Sequence, residues 1–267
     1  MTPHALVCDV DGTLADTEEA HRTAFNLAFA ACGLGWSWSP DDYRTLLEVT
    51  GGKERIAAYV ATLPVGAAER RLLIDLAPAL HAVKTRHYAA LVCDGAVPLR
   101  QGVARLLDEA LAAGWRLAIA STTTAANVEA LLSSALGPSG LRRFSVVACG
   151  DQVRAKKPAP DIYRRALAEL RLTPDRAIAF EDSENGLRAA TAAGLWTLVT
   201  PTRWTQHGDF RAAGLVLPRL GDPGAPLDGE PGRRLRDGAW LRFEELFRLS
   251  RPSRSLPMSA ATHRGLA

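Results

Sequence analysis

Short, mainly apolar runs closed by turn residues alternate along this chain with stretches whose apolar positions recur every three to four residues. Residues 5–12 (ALVCDVDG), 115–121 (WRLAIAS), 144–151 (FSVVACGD), 177–183 (AIAFEDS) and 195–201 (LWTLVTP) are of the first kind, with a shorter run at 214–220. Runs of that length without polar alternation predict strands buried on both faces. Residues 102–114, 127–136, 160–172 and 185–194 are of the second kind and predict amphipathic helices, the first closed by Gly114. The alternation predicts an α/β domain: a parallel sheet covered by helices on both faces and joined by right-handed crossovers. In such a sheet, ligands bind beyond the carboxyl ends of the strands.

Residues 17–90 break the rhythm. EEAHRTAFNLAFAACG, DDYRTLLEV, ERIAAYVATL and the stretch from Ala67 to Val92 carry helical periodicity and no convincing buried strand. They predict an all-α domain of residues 17–90 inserted after the first strand, with hinges near Asp16 and Ala90. Residues 1–16 and 91–250 would then form the α/β core. Past Pro223 the chain is rich in Gly, Pro and Arg; one helix is expected at 240–250, and 251–267 reads as a disordered tail.

The chain has 267 residues, 47% of them hydrophobic, enough for a substantial core. The formal net charge is +3, and many arginines fall between Arg233 and Arg264. No basic run with interleaved aromatics points to nucleic acid, and no apolar stretch approaches a membrane span. The first strand begins by Ala5, which leaves no room for a cleavable signal. Cys8, Cys32, Cys93 and Cys149 are scattered and form no CxxC pair. Together these features lead us to expect a cytoplasmic protein.

The candidate chemistry gathers at the predicted strand ends. Asp9 and Asp11 are two apart, so on a strand their side chains leave one side of the backbone; Gly12 then permits a tight turn and Thr13 can brace it. One aspartate is an ordinary turn residue, but two call for another account. Neighbouring carboxylates can divide roles, one ionised as nucleophile or metal ligand, the other carrying a proton as general acid and then base. Glu181 and Asp182 end another strand, where an acidic pair can simply compensate a helix terminus; beside the first pair, metal binding is the better account. Oxygen ligands without a His or Cys cluster point to Mg²⁺. Ser121 and Thr122 lie between a strand and a helix, in the position of either an anion cradle or a common N-cap. Lys157 stands in RAKKPAPDIY, with Lys156 its competitor for any role.

DVDGT (9–13), ST (121–122), KP (157–158) and ED (181–182) occur in the order of the four motifs of the haloacid dehalogenase superfamily, which the chain resembles from about residue 5 to 220. The resemblance implies a Rossmann-like core with a helical cap inserted after the first motif. It also implies that Asp9 attacks phosphorus, that Asp11 protonates the leaving oxygen and then activates water, and that Ser121, Thr122, Thr123 and Lys157 hold the phosphoryl group. Mg²⁺ would sit among Asp9, the Asp11 carbonyl, Asp182 and Glu181.

Residues 16–25, 50–59 and 84–92, with VPLRQGVARLL, AIASTTTAANVEALL and EDSENGLRAA, resemble the CbbY group of this superfamily. That implies hydrolysis of xylulose-1,5-bisphosphate, an inhibitor of Rubisco, to xylulose 5-phosphate. Arg55 would grip the distal phosphate, with Gly52 and Lys53 in the same loop, Glu18 and His21 near the sugar hydroxyls, and Lys84 reaching in from the last cap helix. β-Phosphoglucomutase has the same cap type and matches at His21, Arg55 and Lys84, so a mutase is the alternative. A non-catalytic sugar-phosphate sensor would be expected to lose Asp9, Asp11 or Lys157, and all three are present. The expected partner is a small sugar phosphate, with no nucleic acid and no membrane.

Overall fold

The computed structural model describes residues 4–95, 97–233, 235 and 238–251. The elements run β1 (Ala5–Cys8), α1 (Glu18–Ala31), α2 (Pro40–Leu46), α3 (Gly52–Thr62), α4 (Ala67–Asp75), α5 (Ala77–Cys93) and α6 (Val103–Ala112). They continue β2 (Arg116–Ala120), α7 (Ala125–Leu136), β3 (Phe144–Ala148), α8 (Asp161–Leu170), β4 (Ala177–Glu181), α9 (Glu184–Ala192), β5 (Trp196–Val199), β6 (Leu215–Val216), α10 (Gly229–Arg233) and α11 (Phe243–Leu249).

The six strands form one sheet in the order β3-β2-β1-β4-β5-β6, and every pairing is parallel. β1 is central, with Ala5 opposite both Arg116 and Ala177. Its four residues are fully buried because each face meets a helical layer. Leu6 and Cys8 join an apolar cluster with Leu106, Leu117, Leu131 and Phe180 on one face. Ala5 and Val7 join Ile162, Tyr163 and Ala190 on the other. This two-sided burial explains why the strands read as continuous apolar runs.

Between β1 and β2 the chain makes α1 to α5, and α1 packs along α5. Phe25, Phe29, Trp38, Tyr43, Ile56 and Leu80 give these helices an apolar cluster of their own, to which Trp204 adds from the loop after β5. α2 begins with a capping box in which Ser39 and Asp42 satisfy each other's backbone N–H groups. The long helical stretch from Ala67 divides at Leu76, ahead of Pro78, into α4 and α5, since proline is tolerated only in a helix's first turn. α5 continues past Ala90 to Cys93. The last helix starts at Phe243 rather than 240, and the run at 214–220 yields a strand of two residues. Residues 252–267, nearly all of the expected tail, lie outside the described residues. Among the described residues no helix is long and apolar enough to cross a membrane.

Candidate active site

The carboxyl ends of β1, β2 and β4 open into a cleft roofed by α1, α3 and α5. β1 ends at Cys8, so Asp9 and Asp11 belong to a turn and the alternation of a strand does not govern them. They part company there. Asp9 faces Lys157, whose Nζ donates to its Oδ1 at 2.6 Å. Asp11 faces α1, accepting from Thr17 Oγ1 at 2.7 Å and lying 2.8 Å from His21 Nε2. Both line the cleft. The turn depends on Gly12, whose φ is +78° and where a Cβ would stand 2.3 Å from an Asp182 oxygen. The Thr13 hydroxyl lies 3.4 Å from Asp9 Oδ2 and 3.3 Å from Asp182 Oδ1, within reach of either.

Lys157 separates the two carboxylates that would otherwise repel. Its Nζ also donates to Glu181 Oε1 at 2.7 Å, and the Tyr163 hydroxyl donates to the same oxygen at 2.5 Å. Glu181 lies against Gly186, where any Cβ would meet its carboxylate at 2.0 Å. Lys156, which also lines the cleft, pairs with Glu54; of the two adjacent lysines it is Lys157 whose ammonium reaches Asp9.

Asp9, Glu181 and Asp182 are buried, and one oxygen from each lies within 4.8 Å of the others. Burial, aided by Glu181 and Asp11 and opposed by Lys157, pushes the Asp9 carboxyl up to about 7. Burial and the charges of Asp9 and Glu181 push Asp182 well above the usual carboxylate range. Lys157 is held protonated: burial alone would lower it, but Asp9 and Glu181 raise it instead. Asp9 and Glu181 thus share one ammonium, with Asp182 beside them, and the remaining negative charge, presented entirely on oxygen, suits a divalent cation. The Asp11 side chain is engaged through Oδ1 with Thr17 and His21 and is not part of that acidic cluster.

Asp11 behaves oppositely. Against the effect of burial, His21, Thr17 and Lys84 hold its carboxyl down to about 2. His21 is stacked on Tyr88, and its Nδ1 lies 2.5 Å from Lys84 Nζ. Burial and Lys84 keep the imidazole below its usual pKa. A neutral ring satisfies both contacts by donating from Nε2 to Asp11 and accepting from Lys84 at Nδ1. Burial, with Arg55 nearby, lowers the Lys84 ammonium to about 7.

The far wall is cationic. Arg55 is buried, donating to the Tyr43 hydroxyl at 2.9 Å and to the Leu46 carbonyl at 3.1 Å. Tyr43 in turn donates to Glu18 Oε2 at 2.7 Å. Gly52 and Lys53 open α3 beside them, and Lys53 lies 3.4 Å from Asp151. Thr122 and Thr123 line the cleft, whereas Ser121 is buried and its Oγ accepts from the Thr123 N–H beneath the wall. Tyr163, Tyr43, His81 and Asn127 join these residues without standing in any of the motifs. His81 lines the cleft against Gly52, and burial with Lys84 and Lys53 lowers it to about 4. Asn127 donates to Thr123 Oγ1 and leaves its Oδ1 buried without a partner. Tyr163 was accessible to helical spacing, one turn beyond the loop of Lys157; the others carry no motif.

The haloacid dehalogenase-like hydrolase family model matches residues 3–194. Protein CbbY of Rhodobacter capsulatus is 50% identical over 220 residues, which cover 82% of this chain and 95% of that protein. The crystal structure of a CbbY variant from Rhodobacter sphaeroides in complex with xylulose-(1,5)bisphosphate superposes with a TM-score of 0.74 at 45% identity, covering 84% of this chain and 98% of that one. β-Phosphoglucomutase of Clostridium difficile shares the fold, with a TM-score of 0.64 at 16% identity over 93% and 97% of the two chains. With its motif residues drawn to one sheet edge and these relatives beside it, the chain belongs to the haloacid dehalogenase-like hydrolases, as a phosphatase of the CbbY group.

Proposed function

We propose that this protein is a Mg²⁺-dependent sugar-bisphosphate phosphatase that converts xylulose-1,5-bisphosphate to xylulose 5-phosphate through an aspartyl-phosphate on Asp9. The observation that carries this reading is the two-ended cleft. Asp9, Lys157 and Asp182 stand at one end, and Arg55, Lys53 and Lys84 line the same cavity on the side of the inserted helices. A substrate with one phosphate could satisfy the first end alone; the second cationic end suits a second anion. The xylulose-(1,5)bisphosphate held by the related CbbY variant supports the same substrate here. Removal of that Rubisco inhibitor would be the physiological role.

Each residue then has a task. Asp9 supplies an oxygen to phosphorus as the ester P–O bond breaks, and Lys157 offsets charge on the equatorial oxygens. Thr122 and Thr123 complete the phosphoryl cradle. Asp9, Glu181 and Asp182 would hold the Mg²⁺, with Asp11 adding its backbone carbonyl; when bound, the ion supplies neutralisation of phosphoryl charge. Asp11 is held as a carboxylate here, the form that takes a proton from the water attacking the phospho-aspartate. Substrate that displaces the His21 contact would raise the Asp11 pKa and let it take up a proton from solvent, which it then delivers to the leaving oxygen as the ester bond breaks. Residues 17–90 act as the cap, whose closure excludes bulk water until the distal phosphate is seated.

The test is product analysis with purified protein and Mg²⁺, comparing xylulose-1,5-bisphosphate with β-glucose 1-phosphate primed by glucose 1,6-bisphosphate. Rapid phosphate release from the former and little glucose 6-phosphate from the latter is expected. Rapid glucose 6-phosphate formation without phosphate release would overturn the proposal in favour of a mutase.

A further inference from the structure

We infer that Arg100 is a positioning residue of the phosphatase reaction, tying the Asp9–Thr13 loop to the linker that returns from the inserted helices. Its Nη1 lies 2.5 Å from the Gly12 carbonyl, 2.6 Å from the Thr200 carbonyl and 2.8 Å from Thr200 Oγ1. Its Nη2 lies 3.2 Å from the Pro201 carbonyl and 3.5 Å from that of Pro218. One half-buried guanidinium thus gathers acceptors from three loops beyond the sheet's carboxyl edge. The planar fork makes this possible; a lysine would bring all its donors to a single atom.

The backbone of Arg100 binds the same region. Its N–H donates to the Leu14 carbonyl at 2.8 Å, and Leu99 forms an antiparallel bridge with Ala15. The outgoing linker, after the catalytic turn, and the returning linker, after α5, therefore meet beside Gly12. From Gly12 the path to the chemistry is one residue long, since Thr13 reaches both Asp9 and Asp182 with its hydroxyl. Any shift of the inserted helices that moves the returning linker reaches the Gly12–Thr13 peptide through Arg100. The inference rests on Asp9 being the nucleophile.

Three measurements test it. In Arg100→Lys, kcat should fall about tenfold both on xylulose-1,5-bisphosphate and on a small phosphate ester, with KM for the bisphosphate within about twofold, because transition-state geometry is lost rather than ground-state binding. In Arg100→Ala, millimolar guanidinium should restore kcat several-fold. In the wild-type protein, native-state hydrogen exchange should show the amides of Gly12 and Arg100 opening together, with protection within about threefold; this readout needs no variant to fold. Unchanged kcat per folded molecule in Arg100→Lys, no guanidinium rescue of a folded Arg100→Ala, or an Arg100 amide that opens independently of Gly12 would each overturn the inference. Failure of the nucleophile assignment would appear separately, as turnover retained by Asp9→Asn.

Discussion

The Lys157 ammonium lies 2.6 Å from Oδ1 of Asp9, and both side chains are buried. Its immediate neighbour, Lys156, instead forms an ion pair with Glu54 of α3. Replacing Lys157 by Met should lower kcat by about 10² or more, the scale of a lost charge-stabilising group. Lys156→Met should leave kcat within a few-fold. Steady-state kinetics of the two variants side by side measure the contrast.

Asp9→Asn removes the proposed nucleophile while conserving shape. Turnover should fall by at least about 10³-fold. The fold should persist, because Lys157 retains Glu181 and burial of one carboxylate is relieved. Circular dichroism and thermal unfolding, run with the assay, check that the loss is chemical.

The acidic cluster predicts how a cation acts on stability across pH. The Asp9 carboxyl, raised to about 7, binds its proton more tightly in the folded chain than in the unfolded one, where a carboxyl titrates near about 4. Between those values the native state holds more protons, so this group's contribution to stability falls as pH rises. Asp182 acts in the same direction. His81, lowered to about 4, runs oppositely, but it lies outside the cation's ligand set and cancels when the two conditions are subtracted. The rise in melting temperature on replacing EDTA by Mg²⁺ should therefore grow from pH 5 to pH 8. A rise independent of pH would mean that these carboxylates are not the ligands.

Arg55→Ala should cost about 30-fold or more in kcat/KM on the bisphosphate and less than about threefold on a small phosphate ester, in keeping with the loss of a buried charge partner. Equal losses on both substrates would assign Arg55 to the architecture of Tyr43 and Glu18 instead.

Tyr163→Phe deletes the hydroxyl that donates to Glu181. Stability should fall by about 1–2 kcal/mol, the cost of leaving a buried acceptor short of a donor, and kcat by a few-fold as the shared Lys157 contact loosens. Denaturant unfolding and kinetics on the same preparation read both.

The strands of the sheet were legible because burial on both faces leaves a continuous apolar run, as in 177–180. The acidic motif residues were legible because they sit where such runs stop. Sequence spacing could not reveal that Asp9 and Asp11 face opposite neighbours, since the strand ends before either of them. Nor could it separate Lys156 from Lys157, because adjacent loop residues have no period. Tyr43 and His81 are hidden for a different reason: each lies on a helix whose pattern accounts for it as packing, and only the tertiary arrangement brings His81 to the cleft and the Tyr43 hydroxyl to Arg55 and Glu18. The depth of Ser121 was equally hidden, its hydroxyl accepting a backbone N–H below the wall.

The meeting of the two linkers at Ala15 and Leu99 has an evolutionary consequence. A segment that leaves and rejoins the parent domain at one spot can be exchanged as a module, because the strands and acidic turn do not have to be redesigned around it. New specificities could arise by replacing the segment between Ala15 and Leu99 as a block, provided that the incoming segment preserves the paired entry and exit.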